Sequence, residues 1–159
     1  MANCVVALGS NLGSREENIS AALGLFAREC EVAAVSSLYE TPPVGYADQG
    51  DFLNAAALLK TELGPLALLD LCNEIEARLG RKRTFKNAPR PIDADIIFYG
   101  SAELDTPRLS IPHPRWLERD FVLTPLLDLY DAGAFSLAGL EKYGTILASK
   151  KRKFSPYKK

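Results

Sequence analysis

Phe52-Leu53-Asn54-Ala55-Ala56-Ala57-Leu58-Leu59-Lys60-Thr61 is an almost unbroken apolar run, and it reads as a strand. Val44 to Asp51, just before it, holds two glycines and two aspartates and reads as a loop able to move. Further back, the β-branched stretch Val32 to Tyr39 is a strand that Glu40-Thr41-Pro42-Pro43 stops, because proline removes backbone donors and stiffens the chain. The two strands are expected to pair back on one another. After Thr61, Gly64-Pro65 opens a helix with proline near its first position. Leu66, Leu69, Leu71, Cys72, Ile75 and Leu79 give that helix an apolar side, and Gly80 closes it.

Working outward, Cys4 to Leu8 is a short buried strand ended by Gly9-Ser10-Asn11-Leu12-Gly13-Ser14. Ser14 and Glu17 have capping-box spacing, and Ile19, Ala22, Leu23 and Phe26 follow at helical spacing. On the other side, a basic loop leads to Ile92-Asp93-Ala94-Asp95-Ile96-Ile97-Phe98-Tyr99, a further strand. A helix is expected from Leu117 or Glu118 to Leu129, with Pro125 as a break or kink, and 136–149 is weakly helical. The order β-α-β-β-α-β predicts an α+β, ferredoxin-like sheet with helices on one face and an extra C-terminal helical part. A single domain is expected over 1–149, with a basic, disordered tail over 150–159.

At 159 residues, 47% hydrophobic and 25% charged, the chain has the composition of an ordinary soluble domain, and its apolar runs are too short to span a bilayer. Met1-Ala2-Asn3-Cys4 lacks the basic segment and apolar core of a signal peptide, so a cytoplasmic location is expected. Cys4, Cys30 and Cys72 are odd in number and widely spaced, which favours free thiols over a disulfide or zinc site. The net charge of −1 conceals an uneven layout. Lys150 to Lys159 carry six cations and no acid, so the rest of the chain has 13 cations against 20 acids. A second acid-free cluster of six cations, Arg78 to Arg90, lies inside this acidic body. One internal basic loop suggests a focused anion site and argues against a nucleic-acid-coating surface.

That loop runs directly into Asp93 and Asp95, which as i and i+2 of a strand share one face. Paired carboxylates repel one another and are costly to bury without a cation. Oxygen ligands for a hard ion beside guanidinium donors suit a polyphosphate, which needs both. The residues thus point to a Mg-dependent enzyme acting on a nucleoside triphosphate, with a two-ion arrangement open. Arg81, Arg83 and Arg90 are the cations chosen for phosphate, with Lys86 beside them. His113, held between Pro112 and Pro114, is either a phosphate donor or acid, or a histidine simply tolerated in a loop. Phe52 and Asn54 can stack on and hydrogen-bond a flat heterocycle, while core packing stays open for Phe52. Arg119 and Phe121 are near enough in sequence to His113 to join the site.

With those residues assembled, the chain resembles the 6-hydroxymethyl-7,8-dihydropterin pyrophosphokinase family. The resemblance runs from Ala7 to Leu127 through Gly9-Ser10-Asn11-Leu12-Gly13, Ser37 to Pro43, Asp51 to Ala56, Pro89-Arg90-Pro91-Ile92-Asp93-Ala94-Asp95-Ile96, Ile111-Pro112-His113-Pro114-Arg115 and Arg119 to Leu123. It implies transfer of pyrophosphate from ATP to the hydroxymethyl group of a reduced pterin, with AMP as the leaving group. It also implies two Mg²⁺ ions held by Asp93 and Asp95, and Arg81, Arg90 and Asp95 as the catalytic group. Thr41, Pro42, Pro43, Val44 and Asn54 would meet the pterin edge, with Phe52 and Phe121 on its faces. Glu76, Arg81, Arg83, Lys86, Arg90, Ile96, His113 and Arg119 would line the ATP side, and loops around 44–51 and 81–91 would close over both substrates. The chain departs from the family where Asn87 stands in place of an aromatic found in some members, where Phe52 replaces a common tyrosine, and where the 80–90 loop is one residue shorter than in some relatives.

The expected partners are therefore small molecules, with no nucleic acid and no membrane, and a monomer. The rival class is an RNA-binding module, since a ferredoxin-like sheet with a basic segment is also an RNA-reader architecture. Against it, the aromatic-rich RNA-binding signature is missing, and paired acids facing the ligand would repel a phosphate backbone.

Overall fold

A computed structural model describes residues 1–82 and 84–158. Arg83, one of the expected phosphate ligands, lies outside the described residues. β1 (Ala2–Ser10) is an inner strand, flanked by β4 (Phe52–Thr61) and β5 (Asp93–Tyr99), and β2 (Glu31–Val35) completes the order β2-β4-β1-β5. Every neighbouring pair is antiparallel. The expected strand over Val32 to Tyr39 is divided: β2 stops at Val35, and β3 (Tyr39–Thr41) resumes the pairing with β4. Ser36 bridges the gap, its N–H donating to the Ala56 carbonyl at 2.9 Å while its Oγ accepts from the Ala56 N–H at 2.9 Å.

The uninterrupted apolar character of β4 has a structural consequence that the expected one-faced layer misses. Leu53, Ala55, Ala57 and Leu59 project to one face, where α1 (Arg15–Glu29) and α2 (Pro65–Arg78) bury Ile19, Phe26, Leu68 and Ile75 against them. Ala56 and Leu58 project to the other face, which α3 (Asp120–Asp131) and α4 (Glu141–Leu147) cover. Helices therefore lie on both faces of the sheet. Both side-chain parities of β4 are apolar, so leaving either face open would expose several buried side chains worth about 1.5–3 kcal/mol each. Phe98 anchors the second layer: its ring stacks on Tyr143 at 3.9 Å and meets the Trp116 edge at 4.9 Å. This contact fastens the segment after a short hairpin, β6 (Leu104–Asp105) with β7 (Ser110–Ile111), to the sheet just before the residues that wall the site.

Several local expectations give way to tertiary packing. α3 runs through Pro125 without ending. The lost backbone bond and ring clash cost about 3 kcal/mol, which burial of Val122, Leu123, Leu126, Leu127 and Leu129 exceeds on the scale above. The Ser14 capping box is absent: Ser14 makes no side-chain cap bond, and Arg15 beside it reaches Glu40 at 2.7 Å and the Asp51 carbonyl at 3.0 Å. α2 buries Leu68, Cys72, Ile75 and Glu76, while Leu66 is left exposed. The described residues after Lys150, most of them exposed, make hydrogen bonds to the body of the fold. Arg152 donates to Asp128 and Asp131, the Lys153 N–H to the buried Thr124 Oγ, and the Tyr157 N–H to the Leu38 carbonyl at 2.7 Å.

Candidate active site

Cross-strand register assembles the floor of the site. Asn54, Gly9 and Asp93 lie opposite one another across β4, β1 and β5, and Ala56, Ala7 and Asp95 form the next row. Alternation places all of these on the face covered by α3. The middle strand contributes only Gly9 and Ala7, so the acids at one end and Phe52 with Asn54 at the other enclose a hollow. A Cβ on Gly9 would come within 3.1 Å of Asn54 Oδ1 and 3.4 Å of the Phe52 ring. The resulting cavity has a volume of about 390 Å³, within the range of small-molecule sites.

Three chain segments wall it. β3 and the loop after it supply Thr41, Pro42, Val44 and Gly45. The entry to α3 supplies Arg115, Glu118, Arg119, Phe121 and Val122. The basic loop roofs it with Lys86, Asn87 and Arg90. Thr41 Oγ1 accepts a 2.6 Å hydrogen bond from Asn54 Nδ2, which fixes that buried amide against β3. The Arg90 guanidinium lies 4.7 Å over the Phe52 ring, and the Arg119 guanidinium 5.6 Å from the Phe121 ring. Each aromatic thus has a cation set against it. Beside the main cavity, a second hollow of about 330 Å³ is lined by the loop itself, including Arg81, Lys82, Lys86 and Arg90.

The electrostatics of the acid pair are uneven. Arg81 Nη1 is 2.9 Å from Asp93 Oδ1 and 3.0 Å from Glu76 Oε2, while Arg90 Nη2 is 3.6 Å from Asp93 Oδ2. Among the described residues Asp95 has no ion-pair partner. Burial, then the like charges of Asp93 and Glu76, push its carboxyl up to about 7, against the pull of Arg119 and Arg81. Glu76 is itself buried because β5 is an edge strand: its carboxylate accepts the Ala94 N–H at 2.9 Å, satisfying a backbone donor that no strand pairs. Arg90 Nη1 donates to the Ala88 carbonyl at 2.7 Å, but its Nε is buried with no partner among the described residues.

Of the residues expected from sequence, Thr41, Pro42, Val44, Phe52, Asn54, Phe121, Lys86, Arg90, Arg119, Asp93 and Asp95 converge on the main cavity. Others do not line it. Ile96 is buried among the α1 and α2 side chains, because it alternates with Asp95 and points to the opposite face. Glu76 and Arg81 lie behind the acid pair as an ion-paired support, and Pro43 is half-buried outside the cavity lining. His113 also stands outside; its Nδ1 accepts the Arg115 N–H at 3.1 Å, which leaves Nε2 as the donor of the neutral ring. Burial, with Arg119 nearby, lowers its pKa and favours that neutral form.

Sequence reasoning passed over the residues that join the two loops. The Asn11 amide donates to Gln49 Oε1 at 2.8 Å and to the Gly50 carbonyl at 3.1 Å, while its Oδ1 accepts from the Arg90 N–H at 2.9 Å. Gln49 Nε2 donates onward to the Asn87 carbonyl at 3.0 Å, and the Tyr46 and Phe85 rings meet edge-on at 5.1 Å. Gly45, at φ +90°, approaches Asn87 so closely that a Cβ would fall 2.2 Å from its Nδ2. The position of Asn11 just past the end of inner strand β1 was the available signal, since polar groups there face the loops that close a site.

The family model for 7,8-dihydro-6-hydroxymethylpterin-pyrophosphokinase (HPPK) matches residues 5–131. The chain belongs to the HPPK family. It is 46% identical over 126 residues to the 2-amino-4-hydroxy-6-hydroxymethyldihydropteridine pyrophosphokinase of Bacillus subtilis, covering 78% of this chain and 75% of that one. The Pseudomonas aeruginosa protein of the same name is 49% identical over 126 residues, covering 78% of each chain. In fold it is similar to the HPPK-DHPS protein of Plasmodium falciparum, with TM-score 0.58 and 17% identity over 81% of this chain. The chain spans 40% of that longer structure, and the likeness concerns the fold alone. As an HPPK, the protein transfers pyrophosphate from ATP to 6-hydroxymethyl-7,8-dihydropterin, a step in folate synthesis. No described helix is long and apolar enough to cross a membrane.

Proposed function

We propose that the pterin occupies the 390 Å³ cavity between Phe52 and Phe121, and that the ATP phosphates run from Asp95 toward the basic hollow beneath Arg81 and Arg90. The observation that carries this reading is the strand register, which sets a flat-ring platform and an acid pair on one face, separated only by Gly9 and Ala7. Thr41, Asn54 and the Val44 backbone offer hydrogen-bonding groups to a heterocycle edge, and both aromatic walls offer ring faces. We read the β2-β4-β1-β5 order as ferredoxin-like with an added C-terminal helical layer.

The acid pair fits a Mg²⁺ site. Among the described residues no three His, Cys, Asp or Glu side chains converge, and Mg²⁺ does not require three, because it takes one or two carboxylates and fills its shell with water and phosphate oxygens. The raised Asp95 pKa marks a carboxyl placed where a cation would relieve the charge. Asp93 and Asp95 would hold the ion or ions, which when bound offset charge on the β and γ phosphates. Arg90, its Nε still without a partner, is suited to grip a phosphate oxygen as charge shifts in transfer. The pterin hydroxymethyl oxygen then attacks the β-phosphorus in line and AMP leaves. Neutral His113 donates through Nε2, and the Asn11-linked loops exclude water that would compete with the hydroxyl. The free thiols Cys4, Cys30 and Cys72 suit a reducing compartment, and we place the enzyme in the cytoplasm.

The test is a product assay. AMP should appear from ATP only with Mg²⁺ and the reduced pterin together, and Asp95→Ala should remove activity by orders of magnitude while pterin still binds. Near-normal turnover of Asp95→Ala would sink the metal assignment, and release of pyrophosphate in place of AMP would indicate nucleotidyl transfer.

A further inference from the structure

The family match ends at residue 131, yet the chain beyond it returns to the pterin side of the molecule. β3, which carries Thr41 and leads into Pro42 and Val44, pairs with β4. Residues 152–157 cross this part of the fold from one helical layer to the other. On the α3 side, Arg152 Nη2 donates to Asp128 Oδ1 at 3.0 Å and to Asp131 Oδ2 at 2.5 Å, and the Lys153 N–H to Thr124. Pro156 forms an antiparallel bridge with Tyr39, and Tyr157 packs beside Leu38 against the α1 layer, 5.7 Å beneath the Arg15 guanidinium. Asp128 is the joint. Besides Arg152, it accepts the hydroxyl of the fully buried Tyr39 at 2.7 Å and the Ser37 N–H at 2.9 Å. Tyr39 pairs with Asn54, and Asn54 bonds Thr41.

We propose that residues 152–157 are a positioning strap for the pterin wall: the Arg152–Asp128–Tyr39 chain of charge-assisted hydrogen bonds holds β3 against α3 and so sets Thr41 and Asn54 at the spacing that admits the pterin. This rests on the pterin occupying the Thr41–Phe121 cavity. Among the described residues, the contacts of the strap fall on α3, β3, Leu38 and Arg15, so its effect is confined to the pterin side.

The experiment uses the full chain. Arg152→Met keeps the aliphatic stem and removes the fork; it should raise the pterin Kd and KM about tenfold, the scale of a lost charge-assisted hydrogen bond. ATP affinity and kcat at saturating pterin should stay within about twofold of wild type, and Arg152→Lys should recover part of the loss. Tyr39→Phe, cut from the other end of the same chain, should reproduce the effect, and the double variant should lose less than the product of the two single losses. Lys158→Ala is the control and should bind both substrates normally. Unchanged pterin affinity in Arg152→Met and Tyr39→Phe overturns the strap, as does parallel loss of ATP and pterin binding, which marks general loosening. Thr41→Val separates the underlying reading: if it binds pterin normally, the pterin assignment of the cavity falls and the strap with it, whereas a loss there with none in Arg152→Met removes the strap alone.

Discussion

The Arg81 guanidinium lies 2.9 Å from the Asp93 carboxylate and lines the second hollow, not the main cavity. Arg81 therefore balances Asp93 and the buried Glu76 from behind, and Asp95 faces the cavity with its charge uncompensated at close range. Two aspartates of the same strand thus acquire different chemistry from their surroundings.

Asp95 makes the ligand-free protein less stable as pH rises. Its folded-state pKa is raised from 3.8 to about 7, so the native state binds more protons than the unfolded chain between those values. The associated stability is fully present below the lower value and is lost as pH approaches and passes the upper one. Thermal melts in a chelating buffer should show the wild type losing Tm as pH rises from about 4 to about 7, the window between the unfolded and folded values. Asp95→Asn should flatten that slope and melt higher at the alkaline end. A wild-type slope retained in Asp95→Asn would assign the effect to other groups.

Removing Arg81 takes away a cation that Asp93 and the deeply buried Glu76 share. Breaking a buried pair from one side costs about 3 kcal/mol or more, so Arg81→Ala should shift the urea midpoint strongly downward. Arg81→Lys should recover part of this, because an ammonium keeps the charge but cannot fork between Glu76 and Asp93. An unchanged urea midpoint in Arg81→Ala would show that Arg81 is not needed to balance the two acids.

Gly9 keeps the cavity floor open. Gly9→Val adds bulk where even a Cβ would meet Asn54 at 3.1 Å and Phe52 at 3.4 Å. Pterin binding followed by fluorescence should weaken by about tenfold or more, equal to some 1.4 kcal/mol, with ATP affinity much less affected. Equal loss for both substrates would mean that the floor serves the whole site.

Asn11 links the loops rather than the substrates. Asn11→Ala removes three hydrogen bonds, each worth about 1 kcal/mol, so hydrogen exchange should quicken in 44–51 and 85–91 while the sheet core stays protected. Unchanged exchange in both segments would show that Gly45, Asn87 and the Tyr46–Phe85 contact hold the closure unaided.

The sequence by itself determined the four main strands in outline and the presence of a basic loop beside a paired-acid strand, because strand alternation and proline or glycine punctuation are local properties, but not the division of β2 from β3 or the β6–β7 hairpin. The i, i+2 spacing of Asp93 and Asp95 needed no tertiary information, nor did that of Phe52 and Asn54. Alternation with Asp95 also sends Ile96, which only the resemblance set beside the ATP, to the opposite face of the sheet. Only the tertiary structure decided that helices cover both faces of the sheet, that α3 passes through Pro125, and that Glu76 turns inward to an edge-strand N–H. It also decided the contacts of Asn11 and Arg152, whose partners lie 38 and 24 residues away. Each of these outcomes is a contact between segments distant in the chain, where burial and hydrogen-bond satisfaction outweigh the preference of any single stretch.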